Sequence, residues 1–225
     1  MVGKYFLILA LAVSFQMACA LETIVDKPVG APKGLVVIAP AKTYLMNERL
    51  FSELARQLKA AGYTIGRFNW SPDTLQTPGR ELQRAARDIN YVLKAAQYHL
   101  GFRPAKTVLI SKSFSTKALE SSLELAQMQI LLTPNCSLEA PFRSTYASML
   151  ARNDIKLRMI ISAEDPYCSV EEIRQTLRPL GKLALLGVTA HGDHNFTVRT
   201  GTTLSYQYQD QVIRNVVTQV EISFH

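Results

Sequence analysis

The sequence predicts an α/β fold in which a mostly parallel central sheet is covered by helices on both faces. Two observations carry this expectation. Short apolar runs suited to strands buried on both faces alternate along the chain with longer segments of helical periodicity. No internal repeat or low-complexity linker interrupts the alternation, which is the pattern of layered α/β architecture in one domain.

The elements follow in order. After a polar lead containing Pro28, Gly30, Pro32 and Gly34, residues 35–39 (Leu-Val-Val-Ile-Ala) form the first apolar run. Phe51, Leu54, Ala55, Leu58 and Ala61 recur at helical spacing and Gly62 supplies a stop. Residues 63–68 read as a second strand. A long helix over about 80–99 carries Leu82, Ala86, Ile89, Leu93 and Ala96 on one face, closed by Gly101 and Pro104. Val108, Leu109 and Ile110 build the next strand, and further strands precede Cys136 and Asp165. A helix over 170–180, a last strand over 182–188, and a C-terminal helix with Val212, Ile213, Val216, Val217 and Val220 inward complete the order.

Length and composition narrow the class. The chain has 225 residues and a formal charge of +7, with the basic residues dispersed and not gathered into a run. Nucleic-acid binding is not expected, because no interleaved aromatic motif accompanies the charge. Residues 4–20 read as a secretory signal: Lys4, an apolar run over 5–15, and Ala18-Cys19-Ala20 as an A-x-A cleavage site. A lipoprotein cysteine at Cys19 is disfavoured by Gln16-Met17-Ala18, which lacks the aliphatic residue a lipobox places three before the cysteine. The expectation is a signal at 1–20, a single domain over 21–225, and a periplasmic or secreted location. No later stretch reaches the roughly 20 apolar residues of a membrane span.

Two cysteines lie beyond residue 20, Cys136 and Cys168. Each follows an expected strand by a few residues, and loops after neighbouring parallel strands emerge on one edge of a sheet. A disulfide between them is favoured over two separate buried thiols by their even number in an exported chain.

The chemistry concentrates where the strand of Val108, Leu109 and Ile110 runs into Ser111-Lys112-Ser113-Phe114-Ser115 and an expected helix. A serine on a sharp strand-to-helix turn has its hydroxyl lifted clear of the sheet. Serines 111 and 115 stand where glycines usually ease such a turn. Downstream, Asp165 follows a strand, and Gly192-Asp193-His194-Asn195-Phe196 puts a histidine in a loop. Ser113, Asp165 and His194 thus occur in nucleophile, acid, base order. Glu164 is the alternative acid and His191 the alternative base, while Asp193 is expected to be exposed. A metal site at His191, Asp193 and His194 is disfavoured by their crowding into four positions. No G-x-G-x-x-G follows the first strand and no Walker sequence occurs, so nucleotide chemistry has no phosphate cradle.

On these residues the chain resembles a small α/β-hydrolase without a substantial lid, in the dienelactone-hydrolase-like or small carboxylesterase branch. The resemblance runs over nearly the whole chain after residue 20, through residues 36–47, 54–58, 61–63 and 67–70 as well as the elbow. It implies a serine hydrolase acting on small ester or acyl substrates through Ser113, His194 and Asp165, with no cofactor. Dienelactone hydrolases use a cysteine nucleophile, so the esterases are the nearer comparison. The resemblance also implies an oxyanion hole formed by the backbone amides of Phe114 and of Lys42 or Ala41. Family members carry His-Gly where Pro40 and Ala41 stand, and Pro40 has no amide hydrogen to offer. Lys42 and Lys112 are expected either to flank the mouth, favouring an acidic ester, or to be plain surface lysines. Asn135-Cys136-Ser137 and Asn195-Phe196-Thr197 match glycosylation acceptors, the second crowding His194. The rival class is a catalytically weak protein of the same fold that binds a ligand or partner.

Overall fold

A computed structural model of the protein describes residues 21–136 and 141–224. The expected signal segment, 1–20, lies outside the described residues. Seven strands form one sheet: β1 (Thr23–Asp26), β2 (Leu35–Ala39), β3 (Thr64–Phe68), β4 (Thr107–Lys112), β5 (Met128–Leu132), β6 (Lys156–Ser162) and β7 (Leu186–Thr189). Their order across the sheet is β1-β3-β2-β4-β5-β6-β7. Every neighbouring pair is parallel except β1 with β3.

The apolar runs of the central strands are buried on both sides, and the pleat divides them. Val37, Ala39, Leu109, Leu131, Met159 and Ile161 face a core shared with the helices α3 (Glu81–Leu100) and α6 (Val170–Leu177). Val36, Ile38, Val108, Ile110, Ile130 and Leu132 face the other core, built on α1 (Arg49–Ala60) and α7 (Gln207–Ser223). Helix α1 contributes Leu50, Phe51, Leu54 and Leu58, all fully buried, and α7 contributes Val212, Ile213, Val216 and Val220. Alternate residues thus feed opposite cores, which explains why the strands read as unbroken apolar runs.

Three local expectations change. The segment after the elbow is not an α-helix but two tight three-residue-per-turn helices, Ser113–Ala118 and Glu120–Leu125. Its serines and threonines bond back to the nearby backbone: Thr116 Oγ1 donates to the Ser113 carbonyl at 2.5 Å and Ser115 Oγ contacts the Lys112 carbonyl at 3.0 Å. Such local bonds compete with the α-helical ladder. The last strand begins only at Leu186, because Leu183–Leu185 form another tight turn. The segment expected to be helical to 180 leaves the helix at Leu177 and ends in turns closed by the amides of Leu180 and Lys182 on the Leu177 carbonyl.

The edge strand β1, the short helices α2 (Pro72–Gln76), α4 (Phe142–Thr145) and α5 (Ala147–Ala151), and the hairpin of β8 (Val198–Thr200) with β9 (Thr203–Ser205) are additions to the expected order. Each is too short to impose a period on the sequence.

Candidate active site

The site is built at the C-terminal ends of the parallel strands, where the loops after β2, β4, β6 and β7 gather. Ser113 follows the last residue of β4 with φ of 52°, the left-handed conformation the elbow demands of a residue that is not glycine. Ser115 explains how the turn forms without its second glycine. Its hydroxyl accepts the Lys112 amide at 2.8 Å and shares its proton between the carbonyls of Lys112 and, at 3.2 Å, Ala39 at the end of β2. The side chain therefore satisfies backbone groups that the sharp turn strips from the ladder. Ser111 is different: it is fully buried, and its hydroxyl has no hydrogen-bond partner among the described residues. An unpartnered buried hydroxyl costs about 1–3 kcal/mol. Ser111→Ala should consequently raise the melting temperature by a few degrees in a thermal melt, and an equal or lower value would contradict that account.

The histidine loop is shaped by its neighbours. Gly192 has φ of +113°, and a Cβ there would lie 3.2 Å from the Phe196 backbone. Its carbonyl accepts the Ser162 hydroxyl from the end of β6. Asp193 is exposed as expected, yet its carboxylate accepts the amides of Asn195 at 2.8 Å and Thr197 at 2.9 Å and the Thr197 hydroxyl at 2.9 Å. This ring of bonds winds the chain around His194 while Phe196, φ 58°, drives its ring fully into the core. A side chain at position 192 would be strained by about 1–3 kcal/mol on backbone grounds alone. Gly192→Ala should lower the melting temperature; a variant unchanged in a thermal melt would show that the loop does not need this turn.

The structure brings Ser113, His194 and Asp165 into one hydrogen-bonded chain. His194 Nδ1 lies 2.7 Å from Asp165 Oδ2, and Nε2 lies 2.7 Å from Ser113 Oγ. A carboxylate only accepts, so Nδ1 carries the proton and Nε2 is left to accept from the serine. The Asp165 side chain is fully buried, and the Tyr167 amide donates to its other oxygen at 2.8 Å. Tyr167 also sets its ring edge-on to the imidazole, with centroids 4.6 Å apart. The alternative acid and base pair with each other instead: His191 Nδ1 meets Glu164 Oε1 at 2.7 Å, both well exposed, and that bond holds the Glu164 carboxyl below its usual range.

The backbone amide of Phe114 belongs to the first turn of the helix after the elbow, whose N–H groups have no intrahelical acceptor. On the β2 side, Trp70 Nε1 donates to the Ala41 carbonyl at 3.0 Å and packs edge-on to Phe114 with centroids 5.5 Å apart. Because C=O and N–H oppose each other across a trans peptide, this bond turns the Lys42 amide away from the Trp70 ring. The Lys42 side chain is half exposed, with Nζ 3.8 Å from Glu81 and 5.9 Å from the Phe114 ring centre.

Lys112 departs from expectation. It neither flanks the mouth nor sits on the surface, but is fully buried beneath the site. The alternation of strand β4 dictates this: Lys112 follows Ser111 into the opposite core, against Tyr44 of the β2 loop.

Cys136 and Cys168 form a disulfide that joins the loop after β5 to the loop carrying Asp165. Among the described residues the one cluster of three ligand-type groups is Cys136, Cys168 and Glu172, whose sulfurs are consumed in that bridge.

Known structures share this architecture. An α/β serine hydrolase homologue from Coxiella burnetii is similar with a TM-score of 0.68 at 16% identity, over 88% of this chain and 91% of that one. A serine hydrolase without a lid from Xanthomonas campestris gives 0.65 at 16% identity, over 89% and 87%. An esterase of Thermogutta terrifontis, solved phosphorylated by paraoxon, gives 0.64 at 16% identity, over 89% of each chain. The chain therefore has the α/β-hydrolase fold in its form without a large lid. No protein-family model and no curated protein sequence matches it.

Proposed function

We propose that the protein is an exported serine hydrolase that cleaves small esters or related acyl compounds through an acyl-enzyme on Ser113. The observation that carries this is the unbroken chain from Ser113 Oγ through His194 to the buried Asp165 carboxylate, at 2.7 Å in both links. His194 Nε2 takes the serine proton as Oγ attacks the substrate carbonyl carbon. The oxyanion forms against the amides of Phe114 and Lys42, and collapse of the adduct expels the alcohol with the proton from His194. Water then enters by the same route in reverse and frees the acid and Ser113. Asp165 keeps the imidazole in the productive tautomer and stabilises it when protonated. Export rests on the signal-like residues 1–20 followed by a single domain, and the Cys136–Cys168 disulfide suits an oxidising compartment. Among the described residues no helix is long and apolar enough to cross a membrane.

The test is to treat the folded protein with a fluorophosphonate and map the adduct by peptide mass spectrometry. One adduct per chain, on Ser113, is the expected result. A folded protein that acquires none has an inert elbow, and the ligand-binding class then takes precedence.

A further inference from the structure

The elbow holds a group that the proposed chemistry does not use, the side chain of Lys112. Its Nζ donates to the His194 carbonyl at 2.8 Å and to Thr133 Oγ1 at 3.3 Å, and it lies 5.2 Å from the centre of the Tyr44 ring. These contacts link the end of β4, the residue after β5, the loop after β2 and the loop after β7. Thr133 is itself held with φ of 43°. From the other side, Gln209 of α7 donates to the next carbonyl, that of Asn195, at 2.8 Å. Two successive carbonyls of the base-bearing loop are thus gripped, one by the residue immediately before Ser113.

We propose that Lys112 is a positioning residue, which locks the backbone of the His194 loop to the nucleophile strand and so keeps Nε2 on Ser113 Oγ. The assignment rests on the proposed roles of Ser113 and His194. An apolar side chain would fill this space without desolvating an amine, so a purely structural need does not call for lysine. Burial pushes the Lys112 ammonium down to about 7, while the carboxylates of Asp165 and Asp193 work against that shift. For a base, a folded pKa below the unfolded one means that the unfolded chain binds the extra proton. The lysine therefore weakens the fold progressively as pH falls from about 10 toward 7, and the full cost is present below 7. Removing the amine should spare stability and harm geometry, a combination that core packing alone does not produce.

Lys112→Met and Lys112→Gln test this, with p-nitrophenyl acetate as substrate. Lys112→Met should melt within a few degrees of the wild type or above it at neutral pH, yet lose about 10- to 100-fold in kcat with little change in KM, the scale of loss for a misplaced catalytic group. Lys112→Gln keeps an N–H donor for the His194 carbonyl and should recover most of that rate. The far-downfield proton resonance of His194 Nδ1–H should be present in wild type and Lys112→Gln and lost or broadened in Lys112→Met. A Met variant within twofold of wild-type kcat, a folded Gln variant as slow as Met, or a fall in rate and melting temperature together with the resonance intact each overturns the proposal. The resonance needs no turnover, so an unreactive wild type condemns the role of Ser113 while Lys112 is still judged.

Discussion

Asp165→Asn should fold normally and lose roughly four orders of magnitude in kcat, the scale seen when such an acid is made neutral without moving it. The reason lies in the second oxygen. The Tyr167 amide donates to Asp165 Oδ1, so in the variant the amide oxygen takes that place and the NH₂ group is forced to face His194. A donor there requires Nδ1 to be unprotonated, which leaves the proton on Nε2, and Nε2 can no longer accept from Ser113 2.7 Å away. Glu164 offers no rescue, because it is exposed and already bonded to His191. Steady-state hydrolysis of a short-chain ester, with circular dichroism to establish folding, checks this; a variant within tenfold of wild type would remove Asp165 from the reaction.

The second large effect is on stability. Cys136 and Cys168 are separated by 32 positions, and closing a loop of that size restricts the unfolded chain by about 4 kcal/mol in the chain-entropy account. Replacing both cysteines by serine should therefore lower the melting temperature by roughly 8–16 °C. Activity should fall less than stability at temperatures where the variant stays folded, since Asp165 keeps its Tyr167 amide and its histidine. Differential scanning calorimetry of the oxidised protein and the double variant decides it, and coincident melts would mean that the loops are held without the bridge.

Much of this was legible in the sequence, for identifiable reasons. Long helices and doubly buried strands announce themselves because their apolar residues recur with a period, so the alternation from 35–39 to α7 could be read directly. That the loops carrying Cys136 and Cys168 could meet follows from strand order, while their pairing is read from an even cysteine count. That Ser113, Asp165 and His194 lie within hydrogen-bond reach of one another follows from their places after strands of one parallel sheet. What escaped depends on contacts distant in sequence. Nothing around Trp70 signals that its indole grips the Ala41 carbonyl, 29 positions earlier. Both places the sequence suggests for Lys112, the mouth of the site or the open surface, leave its amine in water because lysines are rarely fully buried, and only the facing of Tyr44 and the His194 loop makes the exception. Asp193 lies at the surface as its sequence position suggests, and its spacing to Thr197 carries a further signal: an acidic side chain that caps the amides following it. The helix after the elbow failed because serine and threonine bond to nearby backbone more readily than propensity sums reflect.

The last turn of α7 has a practical bearing on how the protein can be handled. Phe224 packs on Tyr63 and against Gly34, and the Ser223 carbonyl accepts from Gln127 and Lys156, all residues at the entry ends of the parallel strands. Ser113 and His194 sit at the exit ends. Immobilising the protein on a resin or electrode through a linker after Phe224 therefore turns Ser113 outward, toward the flowing solution.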